Sequence, residues 1–387
     1  MQLTTKEVIF SESKRIVIKL GSRILTEEEP NTPARKGLSR KRISQIAKLV
    51  ANLKNRGKEV IIISSGAVGA GMGILGLKKR PKRLSTKQAC AALGQVKLMK
   101  IYGEFFAIED FDIAQLLVSA DDFRDRERYT NIKNTANILL KKDIIPIFNE
   151  NDSIATEEIR VGDNDKLGAD VSHLLSADLL VLFSDEDGLY DTNPKNNPNA
   201  KLFDVIEEVT EEILNMADGD EGSEVSTGGM KTKLQAVYEA TQTKCNVILA
   251  NGFTSIRHSL FTEPQKGTLF LSQNNKLSSR QKWLGYISTT HFTVVVDKGA
   301  AKALTKNDAS LLVMGVLSFE GQFTQGDLVD ICDTQGETIA RGASNYHWKD
   351  LEYIINEPKD RLDEIREELD LPLEFIHRND MVLLNNP

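Results

Sequence analysis

Short apolar runs rich in β-branched residues alternate with longer segments of helical spacing through the first two thirds of the chain. Arg15–Leu20 and Val60–Ile63 are nearly continuous apolar runs, which is typical of strands that are buried on both faces. Between them, Ser39 is a candidate N-cap for a helical pattern that stops at Gly57. This alternation predicts βαβ units built around a mostly parallel sheet.

The same alternation continues to about residue 250. Further strands are predicted near 113–118, 144–148, 178–183 and 246–250, and helices over roughly 85–109, 128–142, 164–176 and 229–243. Because helices separate the strands, they are expected on both faces of the sheet. The predicted fold class is therefore α/β, with three layers in the order αβα.

The pattern changes after a polar segment, Ser272–Arg280, which is typical of a linker. Short β-rich runs parted by glycines then follow at 292–296, 311–316, 328–332 and 338–340. An acidic stretch, Glu357–Asp370, predicts a solvated helix near the end. We predict a main domain at residues 12–272, a linker at 273–289 and a small β-rich domain at 290–387.

The cysteines and the apolar segments indicate a protein of the reducing cytoplasm. Cys90, Cys245 and Cys332 are far apart, so neither a disulfide framework nor a zinc-binding spacing is present. The N-terminus lacks the apolar core of a signal peptide, and no run of 18 apolar residues exists. We therefore expect a cytoplasmic protein that does not enter the membrane.

The net charge of −7 is concentrated in the tail. From His291 to the end, 9 Lys and Arg face 18 Asp and Glu, whereas the rest of the chain holds 40 against 38. A nucleic-acid surface requires clustered basic residues that displace counterions. The tail has the opposite balance, which argues against RNA binding.

Lys19 is the first candidate for chemistry, since it lies inside an apolar strand just before Gly21. A buried lysine is costly without an anionic partner, although a lysine at a strand end can also extend into water. Ser64–Gly71 follows the second strand and is rich in small residues that could present backbone N–H groups to an anion. It could equally be a plain glycine-rich connection.

Two clusters of Asn and Asp lie within Asn149–Asp170, at a strand end and at a helix start. Open α/β sheets bind ligands at such positions. Asp152, Asn164 and Asp165 are therefore candidates for recognition. Turn chemistry would account for one cluster alone, but two clusters favour a site.

Two more strand-to-helix junctions carry groups suited to a nucleotide. Ser226–Lys233 opens a helix with two glycines, hydroxyls and lysines, which suits a phosphate tail as well as a merely capped helix. Ser184 and Asp185 end a strand and could line a base or ribose pocket, or form only a turn. The five histidines show no metal-ligand spacing, so no protein metal site is predicted.

These junctions fall on one edge of a doubly wound sheet. Phosphoryl transfer needs positioned cations and anchors for both substrates rather than covalent chemistry from the protein. Lys19 and Lys233 could be those cations, with Asp165 holding them.

The chain resembles the glutamate 5-kinases of the amino-acid kinase superfamily over nearly its whole length. The matching pieces, in order, are IVIKLG at 16–21, SSGA at 64–67, NEND at 149–152, VGDND at 161–165, SDEDGLY at 184–190 and TGGMKTK at 227–233. The tail is similar to the PUA domain of bacterial members. The resemblance implies an amino-acid kinase fold followed by a small β-rich PUA-like barrel.

The resemblance also implies roles for individual residues. ATP would contact Lys19, Ser184, Asp185, Thr227, Gly228, Gly229, Met230, Lys231, Thr232 and Lys233. L-Glutamate would be held by Ser65, Asp152 and Asn164, while Lys19, Asp165 and Lys233 would be catalytic. ATP would be the co-substrate, with Mg²⁺ carried on the nucleotide.

The implied reaction gives L-glutamyl 5-phosphate, the first intermediate of proline biosynthesis. Proline would act as a feedback inhibitor, and the protein would form a homo-oligomer. The sequence departs from the family in its long loop Thr26–Leu38 and at Val313 and Met314, where proline is common. Alternatives are another amino-acid kinase, such as acetylglutamate kinase or aspartokinase, and an RNA-associated regulatory protein that has lost catalysis.

Overall fold

A computed structural model describes residues 4–26, 37–77, 79–154, 164–194, 196–216, 229–258, 267–273, 292–307, 309–358, 361–369 and 371–384. The chain divides into two compact units, Met1–Asn275 and Lys276–Pro387. The domain limits that the sequence predicts, with a linker at 273–289, stay a prediction.

The described part of the first unit contains eleven helices and eight strands. The helices are α1 Thr5–Glu12, α2 Ser22–Thr26, α3 Arg40–Asn55, α4 Ala67–Ile74, α5 Leu84–Ile108, α6 Ala120–Arg124, α7 Arg126–Lys141, α8 Asn164–Leu174, α9 Glu211–Asn215, α10 Met230–Thr241 and α11 Gly252–His258. The strands are β1 Arg15–Leu20, β2 Glu59–Ile63, β3 Ile113–Val118, β4 Ile145–Glu150, β5 Leu179–Ser184, β6 Val205–Ile206, β7 Asn246–Asn251 and β8 Thr268–Phe270.

The eight strands described form one sheet in the order β3-β4-β2-β1-β5-β7-β8-β6. Neighbours from β3 to β7 are parallel, β8 runs antiparallel to β7, and β6 is parallel to β8. The mostly parallel sheet that the sequence predicts is confirmed. Strand β2 lies on one side of β1 and β5 lies on the other. The connections that follow β1 and β5 therefore run to opposite sides of the sheet, which opens a crevice at the carboxyl ends of these strands.

Side chains of β1 alternate between the two faces of this sheet. Ile16 and Ile18 belong to the apolar core that also contains residues of α3 and α5. Lys19 points to the opposite face, where it meets Asp165 of α8. Helices therefore cover both faces, in agreement with the predicted three layers.

The predicted N-cap is confirmed at Ser39, whose side chain accepts a hydrogen bond from the backbone N–H of Arg42. The predicted stop at Gly57 is confirmed too, because this residue has a φ of 76°, a left-handed conformation that glycine adopts without strain. Local capping chemistry was thus readable from the sequence.

The glycine-rich segment after β2 serves mainly to bring α4 and α5 into contact. A Cβ atom on Gly71 would lie 1.9 Å from the carbonyl oxygen of Cys90, and one on Gly94 would lie 1.7 Å from that of Ala67. Only glycine allows the two helix backbones to approach so closely. Gly66 is the N-cap of α4 in a left-handed conformation and gives the sharp turn out of β2.

The described part of the second unit is smaller and richer in strands. Its elements are β9 Thr293–Val296, α12 Lys298–Asn307, β10 Leu311–Leu312, β11 Val316–Glu320, β12 Leu328–Cys332, β13 Thr338–Ala343, α13 Trp348–Ile355, α14 Leu362–Glu368, β14 Glu374–Ile376 and β15 Met381–Leu383. Within the described ranges, one sheet has the order β11-β9-β12-β13-β15, and β10 pairs with β14.

The predicted single strand 311–316 is wrong, because a 3₁₀ turn at Val313–Gly315 divides it into β10 and β11. At this turn Gly315 packs so closely on Ala300 of α12 that an added Cβ would lie 2.7 Å from the Ala300 Cβ. Tertiary packing therefore bends a segment whose apolar pattern alone reads as one strand.

Candidate active site

A cavity of about 270 Å³ lies where β1, β2, β4 and β5 end. Its lining consists of Lys19, Gly21, Ser22, Arg23, Ile24, Thr26, Ser65, Gly66, Val68, Gly69, Met72, Arg80, Asn149, Glu150, Asp152, Asn164, Phe183, Ser184, Asp185 and Lys233. Seven candidates that the sequence singles out are among them, namely Lys19, Ser65, Asp152, Asn164, Ser184, Asp185 and Lys233. The topology thus brings residues from distant parts of the chain to one edge of the sheet.

Asp165 lies between two lysines beside this cavity. Its Oδ1 is 2.5 Å from Nζ of Lys19, and its Oδ2 is 3.1 Å from Nζ of Lys233. The side chains of Lys19, Asp165 and Lys233 are 5%, 0% and 11% exposed. A carboxylate buried to this degree requires cationic partners, and in return it fixes the positions of both ammonium groups.

The local sequence explains how each member of this triad is placed. Lys19 extends from the buried strand β1, while Asp165 and Lys233 lie in the first turns of α8 and α10. An acidic side chain in a first turn also interacts favourably with the helix dipole. The functional interpretation of Lys19 thus agrees with its buried ion pair, and the alternative in which it extends into water is wrong.

Asn164 contacts the end of β2 through its side-chain NH₂ group. Nδ2 donates to the carbonyl oxygen of Ser64 at 2.7 Å and to Oγ of Ser65 at 2.5 Å, and it lies 3.3 Å from Oδ1 of Asn149. The other amide atom, Oδ1 of Asn164, is buried and receives no hydrogen bond from any residue that the structure describes. Asn164 thus leaves an acceptor atom unused next to the cavity.

Asp152 and Arg80 place opposite charges on the wall of the same cavity. Burial raises the pKa of the Asp152 carboxyl above its ordinary value, and the positive charge of Arg80 opposes this shift. Two side chains of opposite charge are suited to a substrate that carries both an ammonium group and a carboxylate.

On the remaining side of the cavity, Asp185 forms an ion pair with Arg23. Ser184 donates a hydrogen bond to Asp185 at 3.2 Å. Ser184 is the last residue of the fully buried strand β5 and Asp185 follows it, close to the strand end that the sequence predicts. Asp185 is therefore held by protein contacts at the cavity wall.

The predicted nucleotide segment 227–233 is only partly visible. Thr227 and Gly228 lie outside the described residues. Gly229 is the N-cap of α10, and Thr232 donates to its carbonyl oxygen at 2.9 Å. Of the described residues in this segment, Lys233 alone lines the cavity, while Gly229, Met230, Lys231 and Thr232 do not.

Besides the hydroxyl residues Ser22 and Thr26, sequence reasoning missed four charged or amide side chains of the cavity, those of Arg23, Arg80, Asn149 and Glu150. Asn149 and Glu150 belong to the NEND motif, so a closer analysis of that strand end could have found them. Arg23 follows the Gly21-Ser22 junction after β1 and could have been found in the same way. Arg80 lies in a polar stretch between α4 and α5, for which the sequence offers no comparable signal.

Behind the triad, a second charged cluster joins α8 to α10. Nζ of Lys166 lies 3.3 Å from Oδ1 of Asp170 and 3.3 Å from Oε2 of Glu239. The side chains of Asp170 and Glu239 are 11% and 16% exposed, whereas that of Lys166 is 45% exposed. One ammonium group therefore serves two carboxylates, and burial, opposed by Lys166 and assisted by Glu239, raises the pKa of Asp170 to about 7.

We expect Asp170→Asn to remove a pH-dependent loss of stability. The folded protein keeps a proton on Asp170 that the unfolded chain releases near pH 4, so wild-type stability falls as pH rises from there to about 7. One proton changes the free energy of unfolding by at most about 1.4 kcal/mol per pH unit. The free energy of unfolding of the variant minus that of the wild type, from urea titrations, should rise across this window. A difference that stays flat or falls would contradict the shift.

The described part of the chain contains neither a metal-binding cluster nor a membrane-spanning helix. Within it, three or more His, Cys, Asp or Glu side chains nowhere come together as a metal-binding group. Among the helices that the structure describes, none combines the length and apolar character needed to cross a bilayer.

Comparison with known proteins agrees with this geometry. Residues 14–251 match the amino acid kinase family, and residues 292–369 match the PUA domain. The first match spans more than half of the chain and contains every residue that lines the cavity. The chain therefore belongs to the amino acid kinase family, which consists of phosphotransferases.

Several proteins that are similar to this chain over nearly its whole length are all named glutamate 5-kinase. A glutamate 5-kinase from Caldanaerobacter subterraneus subsp. tengcongensis is 42% identical, over 88% of this chain and 90% of the relative. Glutamate 5-kinases from Geobacter metallireducens and Moorella thermoacetica are each 40% identical, over 90% and 97% of this chain and 92% and 97% of their own.

Proposed function

We propose that this protein transfers the γ-phosphoryl group of ATP to the γ-carboxylate of L-glutamate, giving L-glutamyl 5-phosphate for proline biosynthesis. The observation that carries the proposal is the Lys19–Asp165–Lys233 triad, in which two buried ammonium groups converge beside one cavity. The relatives named glutamate 5-kinase support the choice of substrate.

The triad would stabilise charge that moves during the transfer. An oxygen of the γ-carboxylate attacks the γ-phosphorus, the bond to the bridging oxygen breaks, and ADP leaves. The carboxylate is already ionised at neutral pH because its ordinary pKa is about 4.3, so no general base is needed. Lys19 and Lys233 would neutralise the oxygens of the transferring group, and Asp165 would keep both in place.

ATP would lie against the carboxyl ends of β1 and β5 and the first turn of α10, with Ser184, Asp185 and residues 227–233 around it. Asp165 is tied to two lysines and Asp185 to Arg23, so both carboxylates are already engaged by protein cations. This fits an Mg²⁺ ion that is held chiefly by phosphate oxygens of the nucleotide. The ion would supply further positive charge to the phosphates.

L-Glutamate would present its ammonium group to Asp152 and to Oδ1 of Asn164. Both are acceptors, and a free ammonium group supplies three donors. The hydroxyl of Ser65, which accepts from Asn164, can still donate its own proton to a substrate carboxylate. The acceptors of Asp152 and Asn164 therefore favour a free amino acid over one that is acylated on nitrogen. This preference distinguishes the proposed activity from that of an acetylglutamate kinase.

We expect Asp152→Asn and Asn164→Ala to weaken glutamate binding while leaving the KM for ATP unchanged. The loss of one charge-assisted hydrogen bond costs about 1.5–3 kcal/mol, or roughly 10- to 150-fold in the KM for glutamate. Asp143→Asn is the control, because Asp143 pairs with Lys54 and does not line the cavity. Steady-state kinetics with either substrate varied would test this, and an unchanged KM for glutamate in both variants would move the substrate site elsewhere.

A coupled ATPase assay with L-glutamate, N-acetylglutamate and L-aspartate tests the proposal. We expect Mg²⁺-dependent turnover with L-glutamate and little with the other two. Turnover with one of the others but not with glutamate would overturn the assignment and favour another amino-acid kinase.

The acidic balance of the C-terminal unit leads us to expect no useful RNA affinity. The PUA-like domain at 290–387 carries 18 acidic residues against 9 basic ones, all from His291 onwards, and this negative charge should repel phosphates. A regulatory or assembly role is therefore proposed for it. Fluorescence anisotropy of the full-length protein with labelled RNA at physiological salt should detect no submicromolar binding, and such binding would overturn this view.

Three finer proposals follow from the resemblance. Proline would inhibit by competing at or near the glutamate site, which the KM for glutamate at several proline concentrations tests. The protein would form a homo-oligomer, which sedimentation equilibrium tests. A cytoplasmic location is supported by Cys90, Cys245 and Cys332, which are all buried and form no disulfide with one another. Fractionation of cells that express the protein would test this location.

A further inference from the structure

A chain of three side-chain amides runs from the cavity into the core. Nδ2 of Asn164, at the cavity, lies 3.3 Å from Oδ1 of Asn149, a longer contact shared with its bonds to Ser64 and Ser65. Nδ2 of Asn149 in turn donates to Oε1 of Gln95, on α5, at 2.9 Å. Asn149 and Gln95 are both buried, and Nε2 of Gln95 has no hydrogen-bond partner among the described residues, so Gln95 enters this chain through its oxygen alone.

The direction of the amide chain is fixed at two points. The carbonyl oxygen of Ser64 can only accept, so the Asn164 atom that faces it at 2.7 Å must be the NH₂ group. The backbone N–H of Glu150 can only donate, so the Asn149 atom that faces it at 3.0 Å must be the oxygen. The usual ambiguity between the two ends of an amide is thereby removed.

It follows that the group facing Asn149 from α5 must be an acceptor. Oε1 of Gln95 supplies it. Without that acceptor the NH₂ group of Asn149 would be buried without a partner, and rotating the amide to find one would set its NH₂ against that of Asn164 and against the Glu150 N–H. Asn164 would then lose its contact with Oδ1 of Asn149, which helps to hold the Asn164 oxygen on the side of the cavity.

We propose that Gln95 is a positioning residue for the substrate amine. Through Asn149 it reinforces the orientation that the Ser64 carbonyl gives to Asn164, so that an acceptor, rather than a donor, is offered to the ammonium group of the amino-acid substrate. Gln95 does not line the main cavity, although it lines a neighbouring one that shares Glu150 and Asp152 with it, and the proposed action runs through the two asparagines. This inference rests on the proposed function, since it assigns a specificity device to the same site.

The test compares two ligands that differ only in the amine. Glutarate has the carbon chain and both carboxylates of glutamate but lacks the ammonium group. The dissociation constants of both are measured by calorimetry for wild type and variants. The ratio of the glutarate constant to the glutamate constant reports recognition of the amine. A ratio taken on one sample does not depend on how much of that sample is active.

Gln95→Met keeps the size of the side chain and removes the acceptor. We expect it to weaken glutamate binding roughly 5- to 100-fold, the cost of leaving one buried donor unpaired. Glutarate binding should change much less, so the ratio should fall about as far as glutamate affinity. A merely structural role would weaken both ligands alike and leave the ratio unchanged.

Two more variants complete the experiment. Gln95→Glu keeps an oxygen that can accept from Asn149 and should hold the ratio within about threefold of wild type. Gln242→Met replaces another buried glutamine, one that does not line the cavity, and should leave the ratio as it is. An unchanged ratio in Gln95→Met, or a ratio lost in Gln95→Glu, would overturn the proposal.

If Gln95→Met yields no folded protein, Gln95→Leu takes its place, because it also removes the acceptor: a fall in the ratio supports the inference, and an unchanged ratio refutes it. The proposed function fails separately, through a wild-type protein that does not phosphorylate glutamate. A wild type that does so, with equal ratios in all variants, would refute only the role of Gln95.

Discussion

Lys233→Met and Lys19→Met should each lower kcat roughly 10²- to 10³-fold, with a much smaller change in the KM for glutamate. Both ammonium groups lie beside the cavity and are aligned by Asp165, at 2.5 Å from Lys19 and 3.1 Å from Lys233. Their positive charge stabilises the γ-phosphoryl group most strongly while charge is moving during the transfer. Removing one ammonium group should therefore destabilise the transition state more than it destabilises the bound substrates. Asp165 would also lose one of its cationic partners, which adds a cost in stability.

Lys54→Met is a matched control for this loss. Lys54 is also a buried lysine paired with an aspartate, Asp143, but it does not line the cavity. The kcat of Lys54→Met should stay close to that of the wild type once it is corrected for the folded fraction, which circular dichroism measures. A Lys233→Met variant with wild-type kcat would show that this lysine only neutralises Asp165.

Gly94→Ala should prevent α4 and α5 from packing and leave little folded protein. The added methyl carbon would lie 1.7 Å from the carbonyl oxygen of Ala67 and 2.6 Å from the backbone nitrogen of Gly71. Backbone atoms of a packed helix cannot rotate away, so the cost should exceed the roughly 1–3 kcal/mol of ordinary overpacking. Since α4 begins directly after Ser65 and Gly66, any surviving enzyme should also bind glutamate poorly.

Gly103→Ala, in the same helix, is the control. The nearest described atom to a Cβ there is Cδ1 of Ile113 at 4.0 Å. Replacing a helical glycine by alanine without a clash should stabilise the protein by about 0.5–1 kcal/mol. Urea unfolding followed by circular dichroism measures both variants. Equal stability of Gly94→Ala and wild type would contradict the close approach of the two helices.

The sequence was sufficient for the main elements of the first unit because their signals are local. A buried parallel strand such as β5 reads as a continuous apolar run, and a helix such as α3 is marked by its cap and by its spacing. Short strands such as β6, with two residues, carry no such signal. They form because β8 is already there to pair with them.

The candidate site was predictable as a set of junctions but not as a set of contacts. Lys19 stood out because a lysine in an apolar strand needs an explanation, and Asp165 provides it from 146 residues further along the chain. Arg80 and Gln95 carry no such conflict with their local sequence. Their relation to the cavity arises only when α4, α5 and β4 come together.

The glycines after β2 show why chemistry cannot be inferred from composition alone. The sequence left open whether Ser64–Gly71 presents N–H groups to an anion or is a plain connection. Gly71 meets the backbone of Cys90, so its lack of a side chain serves the packing of two helices. Which partner a glycine approaches depends on tertiary structure.

The central claim is that the γ-carboxylate of glutamate itself attacks ATP, and oxygen labelling tests it most directly. The protein is incubated with ATP, Mg²⁺, hydroxylamine and glutamate labelled with ¹⁸O in the γ-carboxylate. Hydroxylamine attacks the acyl carbon of the product, so the released phosphate keeps the bridging oxygen that came from glutamate. We predict γ-glutamyl hydroxamate and, by ³¹P NMR, phosphate that carries one ¹⁸O atom for each hydroxamate formed. Phosphate without ¹⁸O, formed while ATP is consumed, would mean that water is the acceptor and would contradict the account.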